Sequence, residues 1–201
     1  MKTEGKFILM TLEEFASWLA NFNLTREIRL IQIHHTWQPD YHGFYASPDH
    51  IQMCKYMEHY QVTQRGFSEI AQNITIFPDG LICIGRDLNK IPAGIAGANQ
   101  YGICIENIGN FDANHDQISE LHQIALLHSV AYLLMKVGIN IADENTVVYH
   151  HWYDLTTHRR TNGSGNTKTC PGTAFFGGNT VESAKENFLP LIDDIIKKLI
   201  S

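Results

Sequence analysis

The chain has 201 residues, which is enough for one ordinary domain with a sizeable core. Hydrophobic residues make up 44% and charged residues 18%, a composition typical of a soluble globular protein. The formal net charge of -6, without a block of like charges, argues against nonspecific nucleic-acid binding. The sequence also lacks the run of about 18 apolar residues that a membrane span requires. We therefore expect neither nucleic acid nor membrane as a partner.

The N-terminal segment Met1 to Leu12 does not have the form of a secretory signal peptide. It carries Lys2 and Lys6 but also Glu4, and its apolar stretch, Phe7 to Met10, is too short. We expect synthesis in the cytoplasm without a signal peptide. An extracellular target would then be reached by another route.

Strands and helices alternate along the predicted elements. Thr11 to Glu14 has the capping-box form and begins a predicted helix, and Ile28 to His34 alternates as a strand does. The other predicted elements, in chain order, are a helix begun by Ser47 and Pro48, a hairpin over Asn73 to Ile84 turning at Pro78 to Gly80, a strand over Tyr101 to Ile108, a helix over Gln117 to Val137, a strand over Thr146 to His150, and a helix over Glu182 to Leu199. No repeat and no linker interrupts them. The pattern predicts a single α/β domain over residues 1–201, with a central mixed β-sheet flanked by helices.

The four cysteines form no CxxC pair, so the default expectation is reduced thiols. Cys54 lies in a helical pattern, and Cys83 and Cys104 lie in strand patterns. We interpret these three as small core residues. Cys170 differs, because it lies in a polar loop before a Pro-Gly dipeptide.

Ligand-type residues follow two apolar strands and recur in that polar loop. The pairs His34-His35 and His150-His151 each end a strand, and Cys170 follows about twenty residues later. Two imidazoles and a thiolate suit Zn²⁺, and three protein ligands leave a fourth position for water, as a catalytic site needs. Strand parity decides which histidine of each pair faces the site, and the sequence leaves both choices open.

Five motifs occur in an order that resembles one enzyme family. They are Ile31-Gln-Ile-His-His-Thr36, Phe77-Pro-Asp-Gly80, Gly85-Arg-Asp87, Gly102-Ile-Cys-Ile-Glu-Asn-Ile-Gly109, and His150 with Lys168-Thr-Cys-Pro-Gly172. Together they resemble the N-acetylmuramoyl-L-alanine amidases of the type shared by phage lysozyme-amidases and peptidoglycan recognition proteins. The resemblance covers about residues 28–176. It implies a mixed sheet flanked by helices, one Zn²⁺ in a surface groove, and hydrolysis of the amide between N-acetylmuramic acid and L-alanine.

The resemblance also implies a role for individual residues. His34, His150 and Cys170 fall on the zinc-ligand positions. Glu106 matches the glutamate that the cytosolic muropeptide-recycling branch uses as its acid and base, and Lys168 matches a lysine that would stabilise an oxyanion. One position departs from the pattern, because many members place a tyrosine before the first hairpin strand. That position is Gln72 here, and glutamine cannot act as a general base.

Other polar and aromatic residues are candidates for lining the groove, with packing as the alternative for each: Trp37, Tyr41, Arg86, Asn107, Asn110 and Trp152. The predicted function is zinc-dependent cleavage of peptidoglycan or muropeptides by a monomer, as an endolysin or autolysin that reaches the wall on lysis. The main alternative is a non-catalytic peptidoglycan-binding module. A cysteine hydrolase with Cys170 as nucleophile is disfavoured, because no helix N-terminus is predicted there to lower the pKa of its thiol.

Overall fold

The computed structural model describes residues 1–47 and 49–200, and in them one seven-stranded sheet forms the centre of the domain. The strand order across the sheet is β1-β2-β5-β4-β6-β3-β7. The strands are β1 Lys2–Glu4, β2 Phe7–Met10, β3 Leu30–His35, β4 Ile74–Ile76, β5 Ile82–Ile84, β6 Gly102–Asn107 and β7 Val147–Tyr149. β3 pairs in parallel with both β6 and β7, and β4 pairs in parallel with β6. The other pairs are antiparallel: β1 with β2, β2 with β5, and β5 with β4. The predicted mixed sheet is therefore confirmed.

In the described part of the chain, six α-helices surround the sheet: α1 Leu12–Asn21, α2 Tyr41–Ala46, α3 His50–Arg65, α4 Glu120–Lys136, α5 Val181–Asn187 and α6 Leu189–Ile200. The capping box predicted for Thr11 is present, with its side chain accepting from the backbone of Glu14 and the Glu14 carboxylate returning to Thr11. The N-cap of α3 is Asp49, not the predicted Ser47, because the Asp49 carboxylate accepts the Gln52 N–H. The proline predicted at that helix start, Pro48, lies outside the described residues.

The two faces of the sheet have different partners. Alternate residues such as Ile31, Ile33 and Ile105 are fully buried in the main core, which α1, α4 and α6 complete. On the opposite face, α3 packs over β2 and β5 in a smaller core that includes Cys54 and Cys83. The second face is therefore where β3 and β6 can expose polar side chains to a groove.

Two parts of the chain differ from the prediction. The single closing helix is two helices, because Phe188 caps α5 and α6 begins directly after it. The strands β1 and β2 and the short helix α2 were not predicted, since three to six residues carry too little periodicity to indicate an element. Within the described residues no helix combines the length and apolarity needed to cross a membrane.

Candidate active site

The candidate site lies at the C-terminal ends of the parallel strands β3 and β7. Ile33 pairs with Tyr149 across these strands, so the next residues, His34 within β3 and His150 directly after β7, lie side by side. Cys170 arrives from the loop that follows. The structure thus brings together the three side chains that the sequence predicted as zinc ligands, and their donor atoms lie within 4.8 Å of one another.

The spacing of these donors suits a tetrahedral metal ion. His34 Nδ1 lies 3.2 Å from His150 Nδ1 and 3.6 Å from Cys170 Sγ. Tetrahedral Zn²⁺, with its usual bond lengths to nitrogen and sulfur, separates two nitrogens by about 3.3 Å and a nitrogen from a sulfur by about 3.6 Å. Donor chemistry and spacing therefore both fit zinc.

The second histidine of each pair makes other bonds. The Nδ1 atom of His35 accepts the Phe111 N–H at 3.2 Å, so its ring is held away from the donor cluster. His151 Nδ1 lies 2.6 Å from the carbonyl oxygen of Lys168, to which it donates. The donor cluster thus contains the rings of His34 and His150 and not those of His35 and His151.

The loop that carries Cys170 is clamped to the segment after β6. The Asp112 carboxylate accepts from the Thr169 hydroxyl at 3.1 Å and from the Thr173 N–H at 3.0 Å. Gly172 has a φ of +126°, and a Cβ there would lie 2.4 Å from the Phe111 backbone. Glycine is therefore required for the loop to approach this closely, and the approach places the sulfur beside His34.

Burial and neighbouring charge set the ionisation of the donors. Desolvation, followed by the charge of Lys168, lowers the pKa of His150 to about 3. Desolvation also lowers the pKa of His34 well below its usual range, and the charges of His150 and Lys168 lower it further. Both imidazoles are therefore neutral and can ligate a metal. Burial raises the pKa of the Cys170 thiol, and the negative charge of Glu106 raises it further. A metal ion would displace the thiol proton on binding.

Glu106 lies beside the donors on the neighbouring strand, where it pairs in register with His34. A carboxylate oxygen of Glu106 lies within 4.8 Å of a ring nitrogen of His34. Desolvation raises the pKa of Glu106 to about 7, and the charge of Lys168 opposes the rise. A carboxyl group with such a pKa can both accept and donate a proton near neutral pH. Lys168 itself is exposed on the loop before Cys170.

Gln72, at the position where many relatives have tyrosine, is buried and serves packing. Its oxygen accepts from Gln61 at 3.2 Å, and its nitrogen donates to the Thr75 hydroxyl at 3.1 Å. Thr75 pairs in register with Glu106. Glu106 is thus left as the candidate base on this side of the site.

Three of the other groove candidates are structural. Arg86 is buried and donates to backbone carbonyls, including Ile70 O at 2.7 Å. Trp152 is fully buried and donates to Asn179 O. The Asn107 amide donates to His34 O at 2.7 Å, which braces the ligand strand.

The two aromatic candidates near the first ligand differ in exposure. The side chain of Trp37 is 58% exposed, whereas the hydroxyl of Tyr41 lies 2.9 Å from His122 Nδ1 and is held within the fold. Trp37 therefore stays available to a ligand. The remaining candidate, Asn110, is buried, and its side chain accepts the Asp112 N–H.

The sequence did not indicate the residues behind His34. Gln32, Cys104 and Gly94 surround the Nε2 edge of this ring, and each looks like an ordinary strand or loop residue in the sequence. Period-two alternation places Gln32 and Cys104 on the same face of the sheet as His34, and this was the only sequence signal that these residues lie near the site.

Known proteins are similar to this chain in sequence profile and in fold. The sequence profile of the family described as N-acetylmuramoyl-L-alanine amidase matches residues 24–173. No curated protein matches at the significance required. Peptidoglycan recognition protein LB of Drosophila is 21% identical with a TM-score of 0.58, over 82% of this chain and 83% of that chain.

Two further solved structures are similar. The N-acetylmuramoyl-L-alanine amidase LysC of Clostridium intestinale is 20% identical with a TM-score of 0.53, over 82% of this chain and 89% of that chain. Peptidoglycan recognition protein LE, solved with tracheal cytotoxin, is 18% identical with a TM-score of 0.59, over 82% and 83% of the two chains. At these identities the structures show the shared fold. The profile match spans well over half of the chain, and the protein therefore belongs to the N-acetylmuramoyl-L-alanine amidase family.

Proposed function

We propose that the protein is a zinc-dependent hydrolase that cleaves the amide between N-acetylmuramic acid and L-alanine in peptidoglycan. The observation that carries the proposal is the donor set of His34, His150 and Cys170, with a carboxylate of raised pKa beside it. Three protein donors and an adjacent base are what a hydrolytic zinc site requires, because the fourth position is left for water or substrate. A structural site would need a fourth protein donor.

The roles of the residues follow from their positions. Bound zinc would lower the pKa of a water molecule and polarise the scissile carbonyl. The Glu106 carboxylate takes a proton from the attacking water and delivers it to the leaving nitrogen of L-alanine. Its pKa of about 7 suits both transfers, since the group is neither strongly acidic nor strongly basic near neutral pH.

Lys168 supplies positive charge next to the reacting carbonyl. Its charge lowers the pKa of Glu106, of His34 and of Cys170. The ammonium group stabilises the negative charge that develops on the carbonyl oxygen as water adds. Because the side chain is exposed, it can reach a substrate in the groove without loss of a buried partner.

The relatives support the substrate class. LysC of Clostridium intestinale is described as an N-acetylmuramoyl-L-alanine amidase, and peptidoglycan recognition protein LE was solved with monomeric diaminopimelic acid-type peptidoglycan. We infer that this chain binds the same class of polymer or its muropeptide fragments. An endolysin or autolysin that meets the wall on lysis is the setting we propose.

The test is digestion of purified peptidoglycan, with and without a zinc chelator, followed by mass spectrometry of the products. We expect new L-alanine amino termini beside intact glycan, lost with chelator and restored by added Zn²⁺. Glu106→Gln should lose at least about 100-fold in kcat, because a general base contributes 10²- to 10⁴-fold, while bound zinc stays at wild-type level.

A matched pair of variants tests the metal ligands. His150→Gln should lose zinc, whereas His151→Gln, one residue along, should retain it. Wall binding without any new amino termini in the zinc-loaded protein would instead establish a non-catalytic recognition module. Full activity of Glu106→Gln would refute the assigned base.

A further inference from the structure

The Nε2 edge of His34 is buried and without a partner. His34 is 4% exposed, and within the described part of the chain its Nε2 atom makes no hydrogen bond. The Nδ1 atom on the other edge faces His150 and Cys170. A metal-ligating histidine normally uses its second nitrogen to donate to a fixed acceptor, so a free Nε2 in the interior requires an explanation.

Two further metal-ligating side chains lie close to the ring. A ring nitrogen of His34, the Cys104 sulfur and a Glu106 oxygen all lie within 4.8 Å of one another. Cys104 is 1% exposed, and in β6 it lies two residues before Glu106, on the same face of the sheet. Imidazole, thiolate and carboxylate together form a donor set that suits Zn²⁺ or Cd²⁺.

The loop residue Gly94 packs closely over these atoms. The position that a Cβ at Gly94 would take lies 2.8 Å from Cys104 Sγ, 3.1 Å from His34 Nε2 and 2.3 Å from Gln32 Oε1. Sulfur, nitrogen and oxygen atoms therefore lie together beneath Gly94, where no side chain separates them. The Gln32 oxygen already accepts the Ile95 N–H at 3.0 Å, which holds its amide in this orientation.

We propose that His34 Nε2, Cys104 and Glu106 form a second metal site, which takes Zn²⁺ or Cd²⁺ when the ion is in excess. The imidazole of His34 then bridges the two ions, one on each ring nitrogen. Binding of the second ion displaces the Nε2 proton and the Cys104 thiol proton, so two protons are released when Glu106 is already ionised. No electron is transferred.

The second ion inhibits hydrolysis. This consequence rests on the proposed function, because it uses Glu106 as the base. A carboxylate that ligates a cation cannot accept the proton of the attacking water, and a general base contributes about 10²-fold or more to the rate. The first ion therefore activates the enzyme and the second ion removes that activity.

Equilibrium dialysis against rising Zn²⁺ tests the second site directly, without reference to activity. We expect the full-length wild-type protein to bind two ions, and Cys104→Ala to bind one. Cd²⁺ titration provides a second measurement, since the thiolate-to-cadmium absorption in the ultraviolet should rise in two steps in the wild type and in one step in Cys104→Ala. Cys83→Ala is the matched control, because this equally buried thiol on β5 is outside the cluster and its loss should leave two steps.

Activity is then measured over the same Zn²⁺ range. Wild-type turnover should rise with the first equivalent and fall by about 100-fold as the second site fills, whereas Cys104→Ala should keep its full rate at high Zn²⁺. One bound ion in the wild type, or two in a folded Cys104→Ala, overturns the second site. Two bound ions in a protein that never cleaves peptidoglycan would leave the second site intact and refute the amidase proposal instead.

Discussion

His122 links the helix α4 to Asn107 on β6, the neighbour of the strand that carries His34, and it makes the stability of the fold sensitive to acid. Its ring is fully buried, with Nδ1 at 2.9 Å from the Tyr41 hydroxyl and Nε2 at 3.1 Å from Asn107 Oδ1. The Asn107 nitrogen donates to His34 O, so its oxygen faces His122 as an acceptor. Nε2 therefore carries the single proton, and Nδ1 accepts from Tyr41. A second proton has no acceptor in this arrangement.

The amount of stability lost on acidification follows from the pKa of His122. Desolvation lowers the pKa of His122 to about 3 from an ordinary value of 6.5. The neutral ring contributes stability that is fully present above about pH 6.5 and is lost as the pH falls toward 3, because only the unfolded chain takes up the proton. Between about pH 7 and pH 5 the loss attributable to this residue is about 2 kcal/mol.

Urea unfolding of the chelator-treated protein at these two pH values measures the effect. His122→Gln should be less stable than wild type by about 1–3 kcal/mol at pH 7, because buried hydrogen bonds are lost. At pH 5 that difference should shrink by about 2 kcal/mol or reverse. The exposed His59 on α3 is the control, and His59→Gln should show the same small difference at both pH values. An unchanged His122→Gln difference between pH 7 and pH 5 would falsify the assignment of a neutral, acid-sensitive ring.

Three further variants probe the candidate site. Gly94→Ala should weaken zinc binding in a chelator competition and destabilise the fold by about 1–3 kcal/mol, because the added Cβ would press on the ring of His34. Gly43→Ala is the control and should do neither, because the nearest atom to its added Cβ would lie 3.4 Å away. Lys168→Met should lower kcat by about 10²-fold with zinc affinity unchanged, and an unaltered kcat would contradict its role. Asp112→Ala should weaken zinc binding in the same chelator competition, because it frees the loop that carries Cys170. Wild-type affinity would show that the clamp is unnecessary.

The sequence alone determined the fold class and most of the elements. Period-two alternation in Ile28 to His34 and the Pro-Asp-Gly turn after Phe77 are local signals, and β3 and the β4–β5 hairpin follow them closely. The ordered motifs also predicted the positions of the metal ligands and of the base. What they could not provide was the N-terminal pairing of β1 and β2, since β2 is stabilised by its contacts with β5, more than seventy residues away in the sequence.

Only the tertiary structure decided how the site is arranged. The sequence left His34 against His35 and His150 against His151 open, because side-chain direction at the end of a strand depends on register and on the bonds that each ring finds. The parallel pairing of β3 with β6 and β7 places His34 between Glu106 and His150, and the contacts of His35 with Phe111 turn that ring aside. Burial raises the pKa of Glu106 and, among the described residues, leaves the Nε2 atom of His34 without a hydrogen-bond partner. It is a property of the packed chain and not of any local motif.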